Sequence, residues 1–435
     1  MTNYRGETVR RPARAFTRAT TPASARAGRR WVAGLSLSFV FLLGCGNDGP
    51  DPPDGPVSTN DVAEPEQASE DSERTRDPLD VDSVGGVRRA ERSDPHLDGN
   101  DSDTPAGEGD AGAEEVARDP WLRPFSSTSI WNMPIGSGAQ YRPAKLPNTK
   151  HHALEHVYIL RTTPSDPARP LIRTGGWRDR CSGTEHSGRS IHLPDGWQPR
   201  PVQGTSTPNN PGVFIQPDGR TVVEVNGMGR CSPTGPLYGQ YRADHNGHVI
   251  DIYGDGVLGN RGASAMSQFG GPIRLGELTG DEPIRHALDL LIWAEHLYWG
   301  GSKQNSYRWP ASDSDSYAGP NTYRGTIPEL QMGSLLALPP SATPDSLGIT
   351  TDVGRKLFAA LQDYGSYVTE DSAWNATYLA VESSAIGTFP WGDAERADMA
   401  RMVQNLHVVT NNTPTSIGGG GTPRQPLLPE IHPPN

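Results

Sequence analysis

The stretch from residue 46 to residue 118 does most to limit what this chain can fold into. It carries 21 acidic and six basic residues, is rich in Pro, Gly and Ser, and has only scattered Val and Leu. Such a segment cannot bury enough apolar surface to offset the entropy of ordering it, and its like charges repel. We therefore predict that these residues form an acidic, disordered tether and that the folded part of the chain begins near residue 119.

An apolar run of about 13 residues, at 32–44, precedes this tether and follows Arg29 and Arg30. Its length fits the core of a signal peptide and is short for a membrane-spanning helix of about 20 residues. The run ends in Leu42-Leu43-Gly44-Cys45, which resembles a bacterial lipobox. The resemblance implies cleavage before Cys45, lipidation of Cys45 and attachment to a membrane of the cell envelope. Residue 46 is Gly rather than Asp, which favours sorting to the outer membrane in a cell with two membranes. The alternative is a plain signal peptide with a chance cysteine.

The sequence thus divides into a lipoprotein signal peptide at 1–44, a lipidated cysteine and tether at 45–118, and a single folded, extracytoplasmic domain at 119–435. A net charge of −12 lacks the basic footprint of a nucleic-acid-binding protein. The Gly-x-Gly-x-x-Gly match at 254–259 runs on into further glycines instead of a helix, which argues against a nucleotide site. We predict no nucleic acid, nucleotide or other cofactor, and no metal. A zinc site at His245 and His248 is the less favoured alternative to a polar turn.

The local pattern of the folded region changes along its length. Short extended runs separated by Gly, Pro, Asn and Asp come first, and apolar stripes with helical spacing follow. This order indicates an α+β fold with a mostly antiparallel, sandwich-like sheet and about three helices in the C-terminal half. We predict strands at 155–162, 213–216, 221–225 and 248–253, and helices at 284–297, 353–364 and 393–406.

Cys181 and Cys231 are the only cysteines left once Cys45 is acylated. Outside the cytoplasm they can form a disulfide, and only one pairing exists. The alternative, a catalytic cysteine, lacks a histidine signature nearby. We predict the disulfide.

Several blocks of the folded region share motifs with other sequences, at 124–135, 262–266, 270–278, 284–288, 307–311, 332–339, 361–367 and 418–423. In these blocks the chain resembles a group of uncharacterised exported bacterial proteins. The resemblance implies a shared fold and export, and it supplies no reaction. One departure is Ala263-Ser264-Ala265-Met266, where the group has Gly-Ser-Gly-Leu.

The candidate catalytic residues are Asp251, Glu277, His286 and Asp371. Alternation along the strand at 248–253 places Asp251 opposite the apolar face, where a groove could lie. Paired carboxylates perform acid–base chemistry on glycosidic bonds, and Asp251 with Glu277 is the favoured pair. Three of the four candidates have a structural alternative: a carboxylate that caps backbone N–H groups for Asp251, an ion pair with Arg274 for Glu277, and a core histidine for His286.

Two functions fit these observations. The chain has ten Trp and thirteen Tyr, whose rings pack on sugars. We expect a lipoprotein anchored at the cell surface that acts on an extracellular polysaccharide as a hydrolase or lyase. The alternative is a non-catalytic, glycan-binding or envelope-structural lipoprotein, which would need no carboxylate of raised pKa.

Overall fold

The computed structural model describes residues 118–203, 207–241 and 249–433. The predicted signal peptide, Cys45, the predicted tether up to residue 117, His245 and His248 lie outside the described residues. Within them the chain forms α1 (Pro344–Leu347), α2 (Asp352–Asp363) and α3 (Asp393–Gln404). It also forms thirteen strands: β1 (Tyr141–Pro143), β2 (His151–Arg161), β3 (Ala168–Arg173), β4 (His186–His192), β5 (Gly212–Ile215), β6 (Thr221–Gly229), β7 (Leu237–Gln240), β8 (Val249–Asp251), β9 (Leu288–Ile292), β10 (Leu335–Ala337), β11 (Ser366–Asp371), β12 (Ala376–Glu382) and β13 (His407–Val409).

The described strands form one mixed sheet in the order β1-β13-β10-β11-β9-β12-β2-β5-β6-β7-β3-β4, and β8 pairs with β6. The pairs β9–β11, β2–β12, β2–β5 and β3–β7 are parallel, and the other pairs are antiparallel. A sheet-rich fold with three helices in the C-terminal half is therefore confirmed. The expected antiparallel sandwich was too simple, because several connections cross over to a parallel neighbour in a single continuous path of strands.

All four predicted strands are present, as β2, β5, β6 and β8, with shifted ends. Two of the three predicted helices are also present. The stripe at 353–364 is α2, whose first turn is capped by Thr351. The stripe at 393–406 is α3, which begins at Asp393 after an N-cap at Gly392.

The helix predicted at 284–297 is wrong. The segment forms the strand β9 and a short 3-10 turn at Ala294–His296. Every residue of β9 is buried, and the strand pairs with β11 on one side and β12 on the other. A short continuous apolar run fits a buried central strand as well as a helix, and here tertiary pairing decides.

The sheet separates two apolar clusters, as the alternation of side chains along β5 and β6 shows. Val213, Ile215 and Val222 belong to the larger cluster, which also includes residues of α2 and α3. Phe214 and Val223 belong to the smaller cluster on the other face. Six of the ten buried residues of this small cluster lie between Cys181 and Cys231. These two cysteines form a disulfide, as predicted.

Candidate functional site

A buried arginine lies over the centre of the sheet. In β12, Ala380 pairs with Glu155 of β2. On the other side, β12 runs antiparallel to β9 and Leu379 pairs with Leu290, so the next residue, Ala380, lies opposite Asp289. Ala380 therefore has Glu155 on one flank and Asp289 on the other, and cross-strand neighbours share a face of the sheet. The small side chain of Ala380 leaves space between the two carboxylates.

The guanidinium of Arg261 lies among these acids, and its side chain is fully buried. Its Nε atom donates to Asp289 Oδ2 at 3.0 Å and its Nη1 atom to Glu155 Oε2 at 2.5 Å. Nη1 also lies 3.3 Å from Oε2 of Glu370 on β11. A shift in register between Val368 and Glu370 marks a bulge in β11, and bulges of this kind re-aim a side chain.

Three carboxyls thus share one guanidinium, and this imbalance of charge affects the pKa values of Glu155 and Glu370. Burial raises the pKa of Glu155; Arg261 opposes this rise, and neighbouring acids add to it. The same three effects raise the pKa of Glu370 to about 8. Burial alone would lower the pKa of Arg261, but Asp289, Glu155 and Glu370 raise it above its usual value. Glu370 therefore holds a proton at neutral pH while Arg261 stays charged.

Two more carboxyls continue the cluster. Asp371 ends β11, and its Oδ2 atom accepts a 2.5 Å hydrogen bond from the Tyr317 hydroxyl, while its Oδ1 atom accepts the Ala294 N–H at 2.7 Å. Asp315 accepts the Tyr323 hydroxyl at 2.6 Å. Burial raises the pKa of Asp371, and burial together with the charge of Asp371 raises the pKa of Asp315 to about 7.

The charges of Asp371, Asp315 and Glu370 influence one another in that order, and we call these three residues the carboxyl row. The charge of Asp315 contributes to the raised pKa of Glu370, as the charge of Asp371 does for Asp315. Backbone hydrogen bonds from Ser312 to Ser264 and from Ser264 to Thr369 hold the surrounding loops against the end of β11. The row therefore lies where three segments distant in sequence meet.

A cavity of about 360 Å³ adjoins Glu370. Asn226 lines this cavity and also directs its Nδ2 atom to Glu370 Oε1, at 3.4 Å. Gly262 lines it too, and a Cβ atom at that position would lie only 2.4 Å from the same carboxyl oxygen, so that a larger residue would displace Glu370. We call this space the polar cavity; its described lining residues are Arg173, Thr174, Asn226, Gln240, Tyr241, Asn260 and Gly262.

Exposed aromatic rings lie beside the other end of the carboxyl row. Tyr317, which contacts Asp371, is 47% exposed, and Trp374, three residues after Asp371, is 44% exposed. Trp374 is fixed by the ring of His151, with centroids 4.5 Å apart, and by a 3.0 Å hydrogen bond to the Tyr378 hydroxyl. An indole held in this way can pack on an apolar ligand face without losing much side-chain entropy.

The predicted site residues lie in three places. Asp371 belongs to the carboxyl row. Asp251 pairs with Arg220 at 2.6 Å, both side chains being more than a third exposed, and it caps the N–H of Tyr253. Glu277 and His286 are buried and hydrogen-bonded to each other at 3.1 Å, and Asp251 shares no described partner with them.

The surroundings of Glu277 balance its charge. Although burial alone would raise the pKa of Glu277, His286 and the backbone N–H of Arg274 lower it. Arg123 lies 3.7 Å away on the other side. An ionised, paired carboxylate of this kind is typical of a structural ion pair.

Sequence reasoning missed Glu155, Arg261, Asp289, Asp315 and Glu370. One signal was present for Asp289, which interrupts the apolar run of β9 and is fully buried. A charged residue inside a buried strand needs a partner, and here the partner comes from a loop.

No protein-family model, curated protein or solved structure matches this chain. Among the described residues, no helix is long and apolar enough to span a membrane. No group of three or more His, Cys, Asp and Glu side chains in the same residues has the arrangement of a metal site.

Proposed function

We propose that the folded region is an enzyme that cleaves a polysaccharide by acid–base chemistry at the carboxyl row. One observation carries this proposal: three neighbouring carboxyls of raised pKa, Asp371, Asp315 and Glu370, lie between a polar cavity and exposed aromatic rings. Clusters of buried acids with perturbed pKa values are typical of sites that transfer protons at neutral pH.

The two ends of the row have different roles in this proposal. Glu370 is protonated at neutral pH and donates its proton to the glycosidic oxygen that leaves. Asp371 receives hydrogen bonds from the Ala294 N–H and the Tyr317 hydroxyl, which favour its ionised form, and it accepts a proton from the attacking water. One water molecule is added across the broken bond, and exchange with solvent restores the starting protonation of both carboxyls.

The flanking features provide binding. Amide and hydroxyl groups of the polar cavity match sugar hydroxyls, and the rings of Trp374 and Tyr317 match the apolar faces of sugar rings. The lipobox at Leu42-Leu43-Gly44-Cys45 supports attachment of this enzyme to the cell envelope through lipid on Cys45.

Amide substitutions test the assignment. Glu370→Gln and Asp371→Asn each keep the size of the side chain and remove its proton exchange, and we expect each to lower turnover by about 10²–10⁴-fold. Asp251→Asn is the matched control, because Asp251 lies in an exposed ion pair away from the row. The assay is product release from a panel of bacterial and plant polysaccharides, read beside the melting temperature.

The same panel separates this assignment from the pair predicted from sequence. Loss of turnover in Asp251→Asn and Glu277→Gln, with normal turnover in Glu370→Gln, would show that the active site is at Asp251 and Glu277 instead. Normal turnover per folded molecule in the variants of Asp251, Glu277, Glu370 and Asp371 would show that none of these four carboxyls takes part in the reaction.

The exposed rings also favour the second candidate, a glycan-binding protein without catalysis. Trp374→Ala would then abolish retention on a polysaccharide column, and wild-type protein would release no product from any member of the panel. Glu370→Gln would leave retention unchanged.

A further inference from the structure

The polar cavity has one cationic side chain in its described lining. Arg173 ends β3 and lies with Thr174 beside the amides of Asn226, Gln240 and Asn260. Amide and hydroxyl groups recognise neutral hydroxyls, whereas a guanidinium offers a planar fork of donors that matches a carboxylate. The lining is therefore suited to a ligand that carries hydroxyls and one negative charge.

Two contacts hold the guanidinium of Arg173 in position. Its Cζ atom lies 4.5 Å above the ring of Tyr241, which also lines the cavity. Its Nε atom donates to Glu185 at 3.0 Å, but that carboxylate is 64% exposed. A pair so open to water contributes little and leaves the cation able to attract a second carboxylate.

The cavity is also joined to the carboxyl row. Asn226 contacts both the cavity and Glu370, the proton donor of the proposed function. A sugar held in the cavity would thus lie next to the group that protonates the leaving oxygen.

We propose that the polar cavity binds an acidic sugar unit, a uronic acid whose carboxylate pairs with Arg173 and whose hydroxyls meet Asn226, Gln240 and Asn260. This inference rests on the proposed function and names its substrate class: a polyuronate rather than a neutral glycan. A volume of about 360 Å³ is at the small end of ligand cavities, which run from roughly 300 to 1,000 Å³, and it suits one sugar residue better than several.

Binding measurements on the full chain test the inference without requiring turnover. The probes are a soluble polyuronate and a neutral glucan of similar chain length, titrated by calorimetry at low and high salt. Wild-type protein should prefer the polyuronate, and salt should weaken that preference. Arg173→Met should weaken polyuronate binding by about 10–100-fold, the range for a lost charge-assisted hydrogen bond, and leave glucan binding unchanged.

Arg169→Met is the matched control. Arg169 lies on the same strand, four residues earlier, and pairs with Asp195 at 2.8 Å outside the cavity lining. The Arg169→Met variant should bind both probes as wild-type protein does. Arg173→Lys should restore part of the affinity, because an ammonium keeps the charge and loses the planar fork.

The outcomes separate this inference from the proposed function. Equal polyuronate affinity in wild type and Arg173→Met, or a preference of wild type for the glucan, would overturn the acidic-sugar site even if Glu370→Gln loses turnover. Normal turnover of Glu370→Gln on polyuronate, together with weak binding by Arg173→Met, would overturn the catalytic assignment and keep the binding site.

Discussion

Replacing Arg261 by Met tests whether the positive charge of Arg261 stabilises the acidic cluster at the centre of the sheet. Met keeps much of the apolar bulk of the side chain and removes the guanidinium from between Glu155, Asp289 and Glu370. Removing one partner of a buried ion pair costs about 3–5 kcal/mol, because the remaining charge is left uncompensated. We expect a loss of this size in the free energy of unfolding near pH 8.

The loss should depend on pH, and its sign follows from the raised pKa values. Arg261 lowers the pKa of Glu155 and Glu370 against the effect of burial, so both values should rise further in the variant. A carboxyl whose pKa is raised by folding stabilises the protein below its unfolded pKa, near 4.3, and loses that contribution as pH rises to the folded value. The loss caused by Arg261→Met should therefore grow with pH, by up to about 1.4 kcal/mol per pH unit for each carboxyl, between the pKa in wild type and the higher pKa in the variant. For Glu370 this range begins at about pH 8.

Urea unfolding followed by tryptophan fluorescence at pH 5, pH 8 and pH 10 measures both the loss near pH 8 and its growth with pH. Arg220→Met is the control, since its pair with Asp251 is exposed to water and should contribute little to stability at any of these pH values. An equal loss at pH 5, pH 8 and pH 10 for Arg261→Met would show that the side chain acts by packing alone, and the account of the carboxyl cluster would fail.

Three further predictions concern other parts of the chain. Replacing both Cys181 and Cys231 by Ser should lower the free energy of unfolding by about 4 kcal/mol, since the bond closes a loop with a sequence separation of 50, and an unreduced digest of wild type should contain the linked peptides. Ala373→Gly should raise stability by about 1 kcal/mol in urea unfolding, because Ala373 is exposed and has a φ of 65°; a loss would mean that its methyl group makes a needed contact. Cys45→Ala should abolish labelling by a fatty-acid probe and membrane attachment, and equal label on the variant would remove the lipoprotein interpretation.

Local patterns predicted the parts of the fold that depend on local physics. The stripe of Val353, Leu357 and Leu361 predicted α2, and the alternation along the strand at 248–253 predicted that Ile252 lies in the core. The helix predicted at β9 was wrong because the structure of this segment depends on its neighbours in the sheet and not on local pattern. Its five residues carry no period that separates helix from strand, and only the neighbours β11 and β12 decide the outcome.

The candidate site was harder to predict because its members come from segments far apart in sequence. Asp371 was singled out, but Asp315 and Glu370 owe their position to loop contacts and to a bulge in β11 that leave no periodic signal. Ala265 gives a partial exception. It adopts a φ of 58°, a conformation that suits glycine, and glycine is the residue expected from the sequence at this position.

The buried acidic groups around Glu277 and around Arg261 differ in how their charge is balanced. This difference distinguishes a structural ion pair from a candidate catalytic site. Around Glu277, cationic or N–H groups of Arg123, Arg274 and His286 balance the charge, and the pKa of Glu277 is lowered. Around Arg261, one cation faces several acids, and the pKa values of Glu155 and Glu370 are raised.

Stability alone does not favour the second arrangement, since an apolar cluster of similar volume is often as stable as a buried ion network or more so. The strained residues Ala265 and Ala373 lie in the loops beside that same cluster, and strain of this kind persists where surrounding structure holds it for a purpose. Local rules are broken most often at functional sites, and here an excess of buried acid, backbone strain and an adjoining polar cavity coincide at the end of β11. That coincidence is the physical reason to look for chemistry at Glu370 and Asp371 before Glu277.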